Sequence, residues 1–126
     1  MFLERFHTQN AILGASLQAS SLRNDVISNN IANAEVPGFK RRVVDFETSL
    51  DNALRSAELT GRFNLNHAET SIRFENPGFR QRMDGNNTDI ETEMVSLYQN
   101  SVRYESMVNS LNHNYTRLNL VLNARM

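Results

Sequence analysis

A chain of 126 residues with a formal net charge of -1 has no global electrostatic drive toward nucleic acid or an anionic membrane. It contains no cysteine, which excludes disulfides, thiolate nucleophiles and thiol-ligated metals. No apolar run approaches the roughly 20 residues that span a bilayer, and Met1-Phe2-Leu3-Glu4-Arg5-Phe6 lacks the unbroken apolar centre of a cleavable signal peptide, so any export is expected to leave the chain uncut.

The first predicted element is a long helix from about Thr8 to Ala34. One seam at four-three spacing runs Ile12, Ala15, Ala19, Leu22, Val26 and turns polar at Asn29 and Asn33. A second runs Leu13, Leu17, Ser20, Asn24, Ile27, Ile31, Ala34. Either the helix has two partner faces or it carries one wide apolar stripe. The polar end of the first seam reads in two ways as well: a buried amide pair that fixes register, or a solvated helix end. Asparagine occurs 17 times, many of them within the predicted helices. Its amide competes for backbone hydrogen bonds, so these positions are expected to bond across to a neighbouring chain.

Pro37 stops the helix. It pushes Val36 toward extended geometry, Pro37-Gly38 suits a type II turn, and Phe39 is placed to anchor that turn on the bundle. Lys40, Arg41 and Arg42 read as a solvated basic loop. Beyond them, Asp45 is placed to cap a short helix through Phe46, Leu50, Ala53, Leu54 and Ala57, closed by Gly61. Phe63 and Leu65, then Ile72 and Phe74, alternate like brief strands. Glu75-Asn-Pro-Gly-Phe-Arg-Gln-Arg echoes the first Pro-Gly turn, Glu35-Val-Pro-Gly-Phe-Lys-Arg-Arg. This middle stretch cannot bury much on its own and reads as a loop or small extended arm.

The last element is the most regular. Asp84-Gly85-Asn86-Asn87 forms a turn, Thr88 and Glu91 form a capping box, and no Pro or Gly follows. Ten successive heptad a/d positions hold nine apolar or aromatic residues: Ile90, Met94, Leu97, Tyr104, Val108, Leu111, Tyr115, Leu118 and Leu122, with Ser101 the lapse. That period marks a helix committed to a continuous partner. A side seam (Val95, Tyr98, Val102) adds a second face. From Asp89 to Arg125 the helix would be roughly 55 Å long, against a diameter of roughly 36 Å for a compact globule of this chain length. The molecule is therefore expected to be elongated, mainly α, with two long terminal helices pairing as an antiparallel coiled-coil hairpin around an extended or irregular middle arm. The boundaries are 1–36 for the N-terminal helix, 37–86 for the turn and middle segment, and 87–126 for the C-terminal helix. A hairpin covers one face of each helix; the others need neighbours.

Catalytic chemistry is not indicated. His7, His67 and His113 share no ligand spacing. Asp84-Gly-Asn-Asn-Thr-Asp89 fails the calcium-loop pattern at its sixth position and, at Val95, its twelfth. Asp89, Glu91 and Glu93 read as favourable charge at a helix N-terminus. No phosphate-binding glycine loop or nucleophile elbow is present, so neither an enzyme nor a cofactor is expected.

The segment Ser28-Asn-Asn-Ile-Ala-Asn-Ala-Glu-Val-Pro-Gly-Phe-Lys40 resembles the N-terminal motif shared by flagellar rod and hook proteins. Asp84-Gly-Asn-Asn-Thr-Asp-Ile-Glu-Thr-Glu-Met94, followed by Asn100, Tyr104 and Leu111-Asn112, resembles the proximal rod branch of that family, as does the lack of a large inserted domain. The resemblance implies a structural subunit of the basal-body rod, exported uncleaved by the flagellar type III apparatus. Its terminal helices would self-assemble into a tube that crosses the periplasm, transmits torque and surrounds the export channel. The implied partners are other copies of the chain, other proximal rod proteins, the rod-base adaptor and the membrane ring, with no nucleic acid. The implied assembly motif is Asn29, Asn30, Ile31, Ala32, Asn33, Pro37, Gly38 and Phe39. The competing reading is a soluble helical adaptor or export chaperone that acts by coiled-coil pairing.

Overall fold

The computed structural model describes residues 2–75 and 82–124; the second Pro-Gly turn lies outside the described residues. Helix α1 spans Phe2–Ala32, strand β1 Arg42–Asp45, helix α2 Glu47–Thr60, a 3-10 turn Leu65–His67, strand β2 Ser71–Phe74, and helix α3 Ile90–Asn123. Helix α1 starts six residues earlier than its seams suggested. Phe2 and Phe6, one helical turn apart, stack at 6.2 Å, and Phe6 meets the Tyr115 ring edge-on at 6.2 Å, so the first turns have their own packing partner.

Helices α1 and α3 form the antiparallel hairpin. Three polar rungs set its direction: Asn10 with Asn114, Ser20 with Asn100, and Asn30 with Glu93. Along α1 the rungs are ten residues apart, or about 15 Å. At the central rung Ser20 Oγ donates to Asn100 Oδ1, and Asn100 Nδ2 returns a bond to the Ser20 carbonyl, each at 2.8 Å. Sliding one helix past the other by a turn would break all three rungs, so they specify register. The helical asparagines that bond across reach the other helix of the same chain, a correction to the expected inter-chain role.

The middle arm is more ordered than an extended loop. Strands β1 and β2 pair antiparallel, with Arg42 opposite Phe74 and Asp45 opposite Ser71. The short helix forms as expected and ends at Gly61, whose φ of 72° is the left-handed C-cap conformation. The residue preceding its first turn is Phe46, drawn into the core at 3% exposure, but the capping bond comes from Asp45 as expected: from the end of the strand its Oδ1 accepts from Thr48 N–H at 3.3 Å. Leu65 lies in the 3-10 turn, not in a strand. Arg23 holds the arm to α1: its guanidinium donates to both Glu47 carboxylate oxygens, at 2.8 and 2.7 Å, and to the Val44 carbonyl. Burial would push the Glu47 carboxyl up, but bonds from its own backbone N–H and Phe46 N–H, together with Arg23, hold it below its ordinary value.

The polar junction and the candidate assembly surface

Where α1 ends, α3 begins, and the chain between them twice passes the same place. The Val36-Pro37-Gly38-Phe39 turn is type II: Gly38 takes a φ of 75°, and Phe39 N–H donates to the Val36 carbonyl. Gly38 N–H donates at 2.8 Å to the Asp84 carbonyl, which joins this turn to the segment preceding α3. Asn86, fully buried, aims its amide nitrogen at the carbonyls of Asn33, Ala34 and Val36. Arg82 adds a bond to the Ala34 carbonyl. The carbonyls of the turn that follows α1 are thus bonded by side chains about fifty residues away. Lys40 reaches the Gly85 carbonyl, and Arg41 N–H donates to Asn87 Oδ1 at 2.7 Å.

At the centre sits Glu93, with no solvent exposure. Arg41 bonds its carboxylate through Nε, and Asn30 Nδ2 approaches the other oxygen at 3.3 Å. Arg41 also pairs with Glu75 at 2.6 Å. Asn30, equally buried, bonds both backbone groups of Arg42 (Nδ2 to O at 2.8 Å, Oδ1 from N at 3.1 Å), which fixes the start of β1. Burial acts to lower the Arg41 pKa, but Glu93 and Glu75 outweigh it and raise it above its ordinary value. Two sequence readings are corrected here. Arg41 and Arg42 do not form a solvated loop: one is enclosed by two carboxylates and the other opens a strand. Glu93 is no surface charge on a helix end but the buried anion that recruits Arg41.

The N-cap is displaced by one residue from the expected Thr88. Asp89 is the N-cap of α3, accepting from Glu91 N–H through Oδ1 and from the Thr92 hydroxyl through Oδ2. Thr88 is held one place earlier by its N–H bond to Asn86 Oδ1 and is buried at 3% exposure.

Among the motif residues, Asn30 is enclosed, Ile31, Asn33 and Phe39 are half-buried, and Asn29, Ala32, Pro37 and Gly38 are exposed. Asn33 bonds back to the Asn29 carbonyl at 2.8 Å rather than across the hairpin. Along the α3 seam, Leu97, Val108, Leu111 and Leu118 are half-buried. Ile90, Met94, Tyr104, Tyr115 and Leu122 are exposed, as are Val95, Tyr98 and Val102 on the side seam. The face of α3 turned to α1 runs through Glu93, Leu97, Asn100, Leu111, Asn114 and Leu118. It shares only every other rung with the seam.

These features define a class: an elongated helical hairpin that keeps polar locks inside and carries apolar stripes outside. The sequence model of the family described as "Flagella basal body rod protein" matches residues 13–40, the last two thirds of α1 and the Pro-Gly turn. The chain is 34% identical over 120 residues to the flagellar basal body rod protein FlgB of Borreliella burgdorferi, covering 84% of this chain and 89% of that protein. It is 33% identical over 122 residues to FlgB of Proteus mirabilis (83% and 88% covered). It is 29% identical over 112 residues to FlgB of Bacillus subtilis (85% and 87% covered). The chain belongs to the flagellar basal body rod protein family. Its role is structural, not enzymatic, and its place is the basal-body rod, among other rod proteins.

Proposed function

We propose that this protein is a proximal rod subunit that joins copies of itself and other proximal rod proteins through the outward faces of α1 and α3. The array so formed is a tube wall that transmits torque, surrounds the export channel, and meets the rod-base adaptor and membrane ring at its foot. One observation carries the reading: large apolar side chains stand outside while polar ones are enclosed. Among the described residues Glu93, Asn30, Asn86 and Ser20 are buried beside a small apolar core of Val26, Ile27, Val44 and Phe46, whereas Met94 (59%), Tyr98 (72%) and Leu120 (65%) stand in solvent. Apolar surface on that scale is what monomers avoid and assemblies use. In a tube, each such side chain would be buried against a neighbour at roughly 25 cal/mol per Å².

The test is a pair of substitutions on exposed seam positions, Met94→Asp and Leu122→Asp. Neither side chain holds the hairpin together, so circular dichroism should match the parent. Incorporation into isolated basal bodies and swimming should be lost, because a carboxylate trapped in an apolar contact is left unpaired. Normal rods built from both variants would refute the use of this face.

A further inference from the structure

Strand β2 has one edge that nothing in the described chain occupies. Its four residues, Ser71–Phe74, are exposed throughout. The pairing phase identifies what that edge presents. Glu75 N–H donates to the Arg41 carbonyl at 2.9 Å, so Arg41 and Glu75 are a hydrogen-bonded pair. Such pairs alternate along an antiparallel ladder; Val43–Arg73 is therefore the next one, and Arg42–Phe74 and Val44–Ile72 are not hydrogen-bonded pairs. Ile72 and Phe74 consequently turn both their N–H and C=O groups away from β1. No backbone bond from the described residues reaches that edge, and it carries no proline.

The order of side chains selects the occupant. Arg73, Phe74 and Glu75 read cation, aromatic, anion, an order that is self-complementary when a strand meets its own copy antiparallel. With Phe74 on the two-fold axis, Phe74 and the partner's Phe74 exchange both backbone bonds, as their outward groups require. Arg73 then lies opposite the partner's Glu75, and Glu75 opposite the partner's Arg73. Both are non-hydrogen-bonded pairs, the type that brings side chains closest. Arg73 has no ion pair among the described residues, and Glu75 meets Arg41 through only one carboxylate oxygen, leaving the other free to accept. On the opposite sheet face the Phe74 ring is 67% exposed with the Arg42 guanidinium 5.6 Å from its centroid, so two such rings at the axis would cover each other.

We propose that the β2 edge pairs with the β2 edge of a second copy, giving a four-stranded sheet and a dimer with two-fold symmetry. An isologous contact closes at two copies and cannot propagate. It is therefore separate from the helix-to-helix contacts of a tube and limits the free subunit to a pair.

Sedimentation of the full chain tests this, using the parent, Arg73→Glu, Glu75→Lys and an equimolar mixture of the two variants. The parent should dimerise, and each variant alone should dimerise at least about tenfold more weakly, since like charges then face each other twice. The mixture should recover dimers, because all four charges are opposed again in the heterodimer. Glu75 also holds Arg41, so Phe74→Asp, which places two carboxylates on the axis and breaks no ion pair, should abolish dimers independently. Amide exchange in the parent dimer should slow at Phe74. A parent that stays monomeric, dimers that survive Phe74→Asp, or variants whose mixture behaves as each does alone would overturn the proposal. Loss of dimers with normal rods is compatible with the helix-mediated reading, so the two fail separately.

Discussion

Replacing Arg41 with Met tests whether the polar junction is held by charge. The substitution keeps much of the aliphatic stem and removes the guanidinium, leaving Glu93 with Asn30 as its remaining side-chain partner and no solvent. Breaking a buried pair from one side costs about 3–5 kcal/mol, because the surviving charge is uncompensated. The lost Arg41–Glu75 bond adds little, since the Glu75 side chain is 44% exposed. Against a whole-molecule stability of about 5–15 kcal/mol this is a large fraction. With a urea dependence of about 2 kcal/mol per M, the midpoint should fall by about 1.5 M or more. Adding Glu93→Leu should recover most of that loss: Asn30 remains bonded to both backbone groups of Arg42, so no polar group is stranded. The cycle reads the coupling directly. If Arg41→Met cost less than about 1 kcal/mol, or the double variant were weaker than the single, Glu93 would not be the buried anion described.

Two glycines should respond with opposite signs, although an added Cβ meets nothing within 4 Å at either. Gly38→Ala should destabilise by about 1–2 kcal/mol because of its φ of 75°, and Gly14→Ala, inside α1, should stabilise by up to about 1 kcal/mol; thermal melts separate the two. At the contact of the arm with α1, the Glu47 carboxyl is held below its ordinary value of 4.5, so its stabilising contribution is complete above the unfolded value and disappears as pH falls through the folded one. Arg23→Gln should raise the Glu47 midpoint in an NMR titration and cost at most about 1 kcal/mol at neutral pH after solvent screening, a difference that shrinks once Glu47 is protonated in both, to what the Arg23–Val44 bond contributes.

Period and punctuation made the frame legible. The two long helices, the Pro37-Gly38 turn and the Gly61 stop all rest on local rules that act within a few residues. What stayed hidden depends on pairs far apart in sequence. Glu93 has the same pattern as any acidic residue in a first helical turn; only Arg41, 52 residues away, makes it a core residue. Strand β1 was hidden for the same reason, since Arg41-Arg42 resembles a solvated tag until Asn30 and β2 take up its backbone. The contact face of α3 was hard to phase because its rungs at 93, 100 and 114 are polar. A hydrophobic period assigns such positions to solvent, and the adjacent apolar residues (Met94, Tyr115) then define the strongest seam.

That displaced phase bears on how the molecule divides its work. A hairpin sealed by leucines alone would be tolerant of sliding, and its outer stripes would shift with it. Here each internal rung joins specific partners (Asn10 to Asn114, Ser20 to Asn100, Asn30 to Glu93), and Asn86 ties down the turn after α1 from across the chain. The inner polar groups contribute little net stability, because each exchanges water for protein. They do make a misregistered hairpin costly, since a slip strands several buried polar groups at once. Register inside therefore determines the positions of Met94, Tyr98 and Leu122 outside, to within one helical step. In the tube proposed above, outward stripes that meet those of neighbours at fixed heights would need that accuracy more than a larger core, which gives the directional bonds of the interior a purpose.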